Sequence, residues 1–224
     1  MSARATTLRA AAALLVLAIA GQAAGCSVLA PTPDKSRYFV LTAVAQPPAA
    51  APPLGRPLAI GLGPLQLPAY LINRDDLATL AAPNRIEYSN SDRWAEPLDQ
   101  NFDQVMARDL SIRLGTDGVA PFPWNLSTRL DYTVSATFDH FERDSTGVTL
   151  LAGRWQIRDG QGSRVLQSGA ARYSEAADDD PAGALSRAVA SLSGQIADAI
   201  LALHAANAHG AVATSADSAS SAPR

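Results

Sequence analysis

Cys26 is the residue of this chain whose type and setting best suit covalent chemistry. It is the single cysteine among 224 residues, and it directly follows the small residues Ala23, Ala24 and Gly25. A thiol can be alkylated by a lipid, and small neighbours leave the preceding backbone open to a peptidase. A lone cysteine excludes an intramolecular disulfide. The pattern therefore predicts a modified cysteine at a cleavage site.

Residues 1–25 have the three parts of a secretory signal peptide. Met1–Arg9 carries two arginines and no acid, and Ala10–Ala20 is an unbroken apolar run. That run is too short to span a bilayer core of about 30 Å as a helix. The four residues that end at Cys26 resemble the lipobox of bacterial lipoproteins, which predicts cleavage before Cys26 and lipidation of its sulfur. The alternative is an ordinary signal peptide cut slightly earlier, with Cys26 left as a free thiol.

Residues 26–36 are predicted to form a lipidated tether. Ser27–Ser36 contains two prolines and no apolar periodicity, and ten residues reach at most about 33 Å. Ser27 occupies the position directly after the cysteine, where an aspartate would favour retention in the inner membrane. By that sorting rule of Gram-negative lipoproteins, the protein is expected at the outer membrane, facing the periplasm.

The other residues that could bind a metal or catalyse a reaction do not form a recognisable set. His140, His204 and His209 lack zinc-ligand spacing, and Asp178–Asp180 lacks the alternating oxygen ligands of a calcium loop. His140 is expected to be a rim residue rather than a general base, and the acidic run to be a loop that caps a helix. No G-x-S-x-G elbow is present. The sequence therefore predicts a non-enzyme with no cofactor and no metal.

The charge balance argues against nucleic-acid binding. Loss of Arg4 and Arg9 with the signal peptide would reduce the 18 basic residues to 16, against 21 acidic ones. The basic residues are scattered, so the chain has no electrostatic footprint for nucleic acid. It also shows no polybasic patch for anionic lipid head groups.

Apolar periodicity predicts the main elements of an α/β domain over residues 37–207. Alternation predicts an antiparallel meander of three strands, and a 3.6-residue period predicts two helices, the second capped by Asp180. Ala43–Pro57 is expected to be a linker, and 208–224 a disordered tail. The meander strands are expected at Leu130–Phe141, Val148–Arg158 and Arg164–Tyr173, the helices at Leu98–Leu114 and Pro181–Ala206, and shorter strands at Arg37–Thr42, Leu58–Leu67, Leu77–Ala81 and Arg85–Ser89.

Four segments carry a resemblance to a known family. They are Gly61–Pro64, Leu67–Leu71, Asn84–Ile86 and Arg93–Leu98, the last reading RWAEPL at the start of the first long helix. Together with the lipobox and the later YFVL segment, they resemble the PqiC/YmbA family of ABC-type transport auxiliary lipoproteins, which serve MCE-type lipid transport systems. The resemblance covers about 26–206.

The resemblance implies a single three-layer α/β domain similar to the N-terminal domain of TolB, with a mixed sheet and two main helices. It also implies an accessory, docking role in lipid movement between the inner and outer membranes, in support of envelope integrity. The implied partner is an MCE-domain protein that extends from an inner-membrane complex. Formation of a homo-oligomer stays open.

Two alternatives accompany this resemblance. Arg93 and Trp94 are candidates for a partner-docking surface, because Trp and Arg are enriched at interface hot spots. Alternatively, Trp94 packs against the first turn of the helix as a hydrophobic staple. A rival function is a lipoprotein assembly factor for lipopolysaccharide or a secretion complex, and an unrecognised hydrolase is a weaker third option.

Overall fold

A mixed β-sheet with helices against it makes up the fold. A computed structural model describes residues 34–49, 56–125 and 128–220, with side chains described up to residue 208. From Ser36 onward these residues form one compact unit. Within them the strands are β1 (Arg37–Phe39), β2 (Ile60–Gln66), β3 (Asp76–Ala82), β4 (Arg85–Trp94), β5 (Val119–Pro121), β6 (Tyr132–Asp144), β7 (Val148–Asp159) and β8 (Val165–Ala176). The helices are α1 (Ala69–Ile72), α2 (Leu98–Leu114) and α3 (Pro181–Ser220).

Strand β6 lies inside the sheet and pairs with other strands along both of its edges. Along one edge it pairs antiparallel with β7, which pairs in turn with β8. Along its other edge β6 pairs in parallel with β2 over its first part and with β3 at its end. β5 extends the sheet beyond β2, and β4 followed by β1 extends it beyond β3. The predicted meander of three antiparallel strands is confirmed by the β6–β7–β8 pairing.

Helix α2 begins and ends where its sequence pattern predicts. It follows Pro97 and stops at Gly115, whose φ of 63° is the left-handed conformation that glycine adopts without strain. Phe102 is fully buried and meets Phe138 and Phe141 of β6 edge to face, with ring centroids 5.1 Å apart in both pairs. These contacts attach α2 to the centre of the sheet.

Helix α3 packs the predicted apolar stripe into the core. Leu185, Val189, Leu192, Ile196 and Ile200 are all buried. The predicted cap is confirmed, since the Asp180 carboxylate accepts a hydrogen bond from the Gly183 N–H at 2.8 Å. The periodic pattern ends near residue 206, whereas the helix backbone continues through 220; residues 221–224 of the predicted tail lie outside the described residues.

Part of α3, Pro181–Ala208, is long and apolar enough to cross a bilayer when judged by length and composition alone, with a mean hydropathy of 1.3. However, 44% of its most apolar window is buried inside the domain. A stripe buried against a sheet is what the core helix of a folded domain shows. We therefore describe α3 as part of the hydrophobic core.

The two long helices lie over the same face of the sheet. α2 and α3 pack against each other, α2 covers β2 and β5, and α3 covers β7 and β8. The predicted α/β class, mixed sheet and two main helices are confirmed. The other face of β6, β7 and β8 carries exposed polar side chains.

Candidate anchoring and docking surfaces

The described chain enters the fold at the outer edge of the sheet. Cys26 and the predicted signal peptide lie outside the described residues, so lipidation stays a prediction. β1 lies parallel to the end of β4, and the Arg37 guanidinium donates two hydrogen bonds of 2.8 Å to Asp92. These bonds hold the pKa of Asp92 below its usual value. An exposed pair of this kind adds little stability, about 0–1 kcal/mol.

After β1 the chain crosses from the sheet to the helices as an extended segment, Val40–Gln46, which we call the N-terminal strap. Its first inward residue, Leu41, is buried. The Leu41 N–H donates to the Asn101 side-chain oxygen at 2.7 Å, and the Asn101 amide donates back to the Leu41 carbonyl at 3.3 Å. The buried Asn101 side chain thus provides the hydrogen-bond acceptor and donor that a neighbouring strand would otherwise provide.

Two further helix side chains hold the strap. The Thr42 N–H donates to the Ser186 hydroxyl of α3 at 3.1 Å, and the Ala45 N–H donates to the Asp109 carboxylate of α2 at 2.9 Å. Burial raises the pKa of Asp109, and hydrogen bonds from the Ala45 and Val44 backbone partly oppose that rise. The strap is therefore bound by both long helices, and tension on its N-terminal side would be carried by the core.

The strap revises two sequence-based expectations. The first strand was predicted to reach Thr42, but it ends at Phe39 because the next residues bond to helix side chains instead of to β4. The start of the predicted linker Ala43–Pro57 is likewise strapped to the core. One sequence signal was available: Asn101 and Asp109 are polar residues at inward positions of an otherwise apolar helix stripe.

The two predicted docking residues, Trp94 and Arg93, differ in how far they are buried. Trp94 ends β4 with 7% of its surface exposed and packs in the hydrophobic core. The Arg93 side chain is 40% exposed, and its guanidinium lies 3.3 Å from the Asp76 carboxylate. The placement of Trp94 is the one that the packing alternative predicts. It leaves Arg93 as the member of the pair that offers accessible surface to a partner.

The face of β6, β7 and β8 that the long helices leave uncovered, which we call the open face, carries a second candidate surface. Cross-strand rows place Thr137 beside Arg154, and Gln156 between Ser135 and Ser168. These side chains line a shallow depression of about 590 Å³, bordered on the β2 side by Pro64 and Gln66. Its lining combines hydroxyl, amide and guanidinium groups with apolar residues that include Trp155 and Ala170.

A hydrogen-bonded group of three side chains lies at the end of this face. The buried Glu142 carboxylate accepts hydrogen bonds from the Tyr70 hydroxyl at 2.9 Å and from the Phe141 N–H at 2.7 Å, and lies 2.7 Å from His140 Nδ1. Burial first, and then the charge of Glu142, raise the pKa of Tyr70 well above its usual value. The Tyr70 hydroxyl therefore stays protonated, which makes it a poor nucleophile. The group ties α1 to β6.

The acidic run supplies a helix cap and part of a loop in the described structure. Asp180 caps α3, and Asp178 adopts a positive φ of 42° in the preceding loop. Among the residues that the structure describes, no group of three or more His, Cys, Asp or Glu side chains is arranged to hold a metal ion.

The fold and these surfaces define a class: an α/β domain with a mixed sheet, two long helices and an N-terminal strap that both helices bind. The particular family follows from comparison. The model of the family described as ABC-type transport auxiliary lipoprotein component matches residues 39–200, and the chain belongs to that family. No curated protein matches the chain.

Two solved structures share the fold. A crystal structure of protein XCC0632 from Xanthomonas campestris, of the DUF330 family, is 14% identical with a TM-score of 0.64; the match covers 78% of this chain and 99% of that protein. A second crystal structure, of an uncharacterized protein, is 19% identical with a TM-score of 0.57. The match covers 74% of this chain and 99% of that protein. At these identities the likeness concerns the fold. The resemblance found in the sequence is confirmed by the family match.

Proposed function

We propose that this chain is an outer-membrane-anchored periplasmic lipoprotein and the accessory, docking subunit of an MCE-type ABC lipid transport system. Membership of the auxiliary lipoprotein family, over residues 39–200, is the observation that carries the proposal. In this role the protein would hold or receive the conduit formed by an MCE-domain protein between the two membranes. Envelope integrity would depend on that junction.

The work proposed for the domain is binding rather than catalysis. A lipid on Cys26 would tie the chain to the membrane, and the strap passes from that side of the chain into the helix layer through Asn101, Asp109 and Ser186. A junction subunit must keep its fold while its anchor is held by one membrane and its partner by the other. The strap supports this role because it distributes tension over both long helices.

Co-purification tests the partner. The lipidated protein, tagged at its C terminus, is isolated from native membranes in mild detergent, and its partners are identified by mass spectrometry. We expect an MCE-domain protein with the wild type, and much less of it with Cys26→Ser. Repeated recovery without any MCE-domain protein would refute the proposal. Recovery with lipopolysaccharide-assembly or secretion components would favour the rival function.

Membrane fractionation tests the anchor separately. The wild type is expected in the outer-membrane fraction of a density gradient, and its mature N terminus is expected to carry acyl chains by mass spectrometry. Stable attachment needs more than one chain, since each buried CH₂ contributes about 0.8 kcal/mol. If Cys26→Ser remains in the outer-membrane fraction to the same extent, the proposed anchoring is wrong.

A further inference from the structure

The open face carries two arginines that the described residues leave without a partner. Arg154 on β7 and Arg172 on β8 are exposed, and no described carboxylate forms an ion pair with either guanidinium. Asp139, in the bulge of β6 beside this face, also forms no ion pair with them. Both guanidinium groups are therefore available to an anion from outside the domain.

Strand register brings these two arginines together. Arg154 lies opposite Ala170, and Arg172 lies opposite Ala152, so the two arginines are diagonal neighbours across β7 and β8. Diagonal positions of a strand pair are about 7–8 Å apart, within reach of long side chains. Like charges at this spacing repel each other, while the small Ala152 and Ala170 leave room between the two guanidinium groups. An anion between them would remove the repulsion.

Neutral donors line the sheet on the Arg154 side of this pair. The depression beside Arg154 is lined by the side chains of Thr137, Gln156 and Ser168. Arginine binds phosphate through two parallel N–H···O bonds, and hydroxyl and amide groups complete the coordination of the remaining oxygens. This combination of donors suits a phosphodiester better than a lone carboxylate.

We propose that the open face around Arg154 and Arg172 binds the phosphate of an anionic phospholipid headgroup. The proposal rests on the proposed function, because an anchor at Cys26 would hold the domain within about 40 Å of a bilayer through an eleven-residue tether. Headgroup phosphates are then the anions at the highest local concentration.

No basic run marks this face in the sequence, because the two arginines belong to different strands. The expectation that the chain lacks a basic patch for anionic lipid was drawn from the linear order of its residues. The antiparallel register of β7 and β8 places the two arginines side by side. The revised expectation is a small site for one headgroup, in place of a polybasic surface.

Vesicle co-sedimentation tests the proposal without the anchor. The protein is the mature chain from residue 26 with Cys26→Ser, and the probes are vesicles of phosphatidylcholine with 30% phosphatidylglycerol and vesicles of phosphatidylcholine alone. We expect binding to the anionic vesicles, weakened about fivefold by Arg154→Gln or Arg172→Gln and about 30-fold by both. Because both side chains are exposed, the variants should retain the wild-type circular dichroism and melting temperature.

Matched variants separate this site from general charge. Arg85→Gln with Arg108→Gln removes two exposed arginines from other surfaces and should change binding less than about twofold. Arg154→Lys with Arg172→Lys keeps the charge and should bind more tightly than the double glutamine variant. If the double glutamine variant binds anionic vesicles as the wild type does, or if the control pair loses as much, the proposal is overturned.

Competition identifies the source of the anion. Inorganic phosphate that binds the arginine pair below millimolar concentration and displaces the vesicles would replace the lipid with a free phosphate and overturn the assignment. Displacement by poly-glutamate at lower concentration than by anionic vesicles would assign the face to an acidic protein partner and overturn it as well. Neither the vesicle assay nor the competition assay uses the lipid anchor or an MCE-domain protein. Failure of this proposal is therefore distinguishable from failure of the proposed function.

Discussion

Substitution of Asn101 by alanine should detach the N-terminal strap while the rest of the domain stays folded. The Asn101 side chain is buried with 4% of its surface exposed, and it satisfies both the N–H and the carbonyl of Leu41. Its loss removes two hydrogen bonds and leaves two backbone groups without a partner. Each unsatisfied buried group costs about 1–3 kcal/mol, so we expect the free energy of unfolding to fall by about 2–6 kcal/mol.

Two measurements check this expectation. Urea unfolding gives the free energy of unfolding, and hydrogen exchange gives the protection of the Leu41 amide, which should fall toward that of an exposed amide. Asn90→Ala, which removes the same side chain from an exposed position of β4, should stay within about 0.5 kcal/mol of the wild type. Ser186→Ala removes one strap bond and should cost about 1 kcal/mol.

The result that would contradict the reasoning is specific. If Asn101→Ala unfolds within about 0.5 kcal/mol of the wild type and the Leu41 amide stays protected, the side chain does not hold the strap. If Asn101→Ala does not fold at all, Ser186→Ala provides the same comparison at smaller cost, with loss of Thr42 amide protection as its readout.

Further predictions concern packing and pH. A Cβ on Gly169 would lie 2.4 Å from the Trp155 ring, so Gly169→Ala should lower the melting temperature and cost about 1–3 kcal/mol. Ala170→Val, next to it but exposed on the open face, should have little effect; equal losses would contradict the packing argument. Burial, and then the nearby Asp99, raise the pKa of Asp103 to about 6. The folded state then binds the proton more tightly, so the free energy of unfolding should fall by about 1 kcal/mol as pH rises from about 4 to 6, after allowance for solvent screening. Asp103→Asn should flatten this slope in urea titrations, and an unchanged slope would refute the assignment.

The elements with clear periodicity were predictable because their patterns are local. The limits of α2 match the predicted Leu98–Leu114, since Pro97 and Gly115 mark its ends chemically. The cap at Asp180 and the β6–β7–β8 meander follow in the same way from neighbouring residues and short turns. Local patterns suffice where the interacting groups lie within a few residues of each other.

The predicted strand after Arg37 shows where such patterns stop. Arg37–Thr42 has good strand residues, yet only its first half pairs with β4. The second half bonds to Asn101, which lies 60 residues away in the sequence. Strand propensity does not show which other groups can bind the same backbone. Here the buried Asn101 amide on α2 binds the backbone that would otherwise pair with β4.

Sequence alone predicted the export signal with its candidate lipid site at Cys26, the family resemblance, and the α/β class. Each of these follows from the order of residues along a short segment or from periodicity within one element. The tertiary structure decided that both long helices cover one face, that the strap is held by Asn101, Asp109 and Ser186, and that Arg154 and Arg172 are diagonal neighbours on adjacent strands. The physical reason is that strand register and helix packing join residues that are distant in the chain. Their contacts are fixed by the whole hydrophobic core rather than by any local pattern.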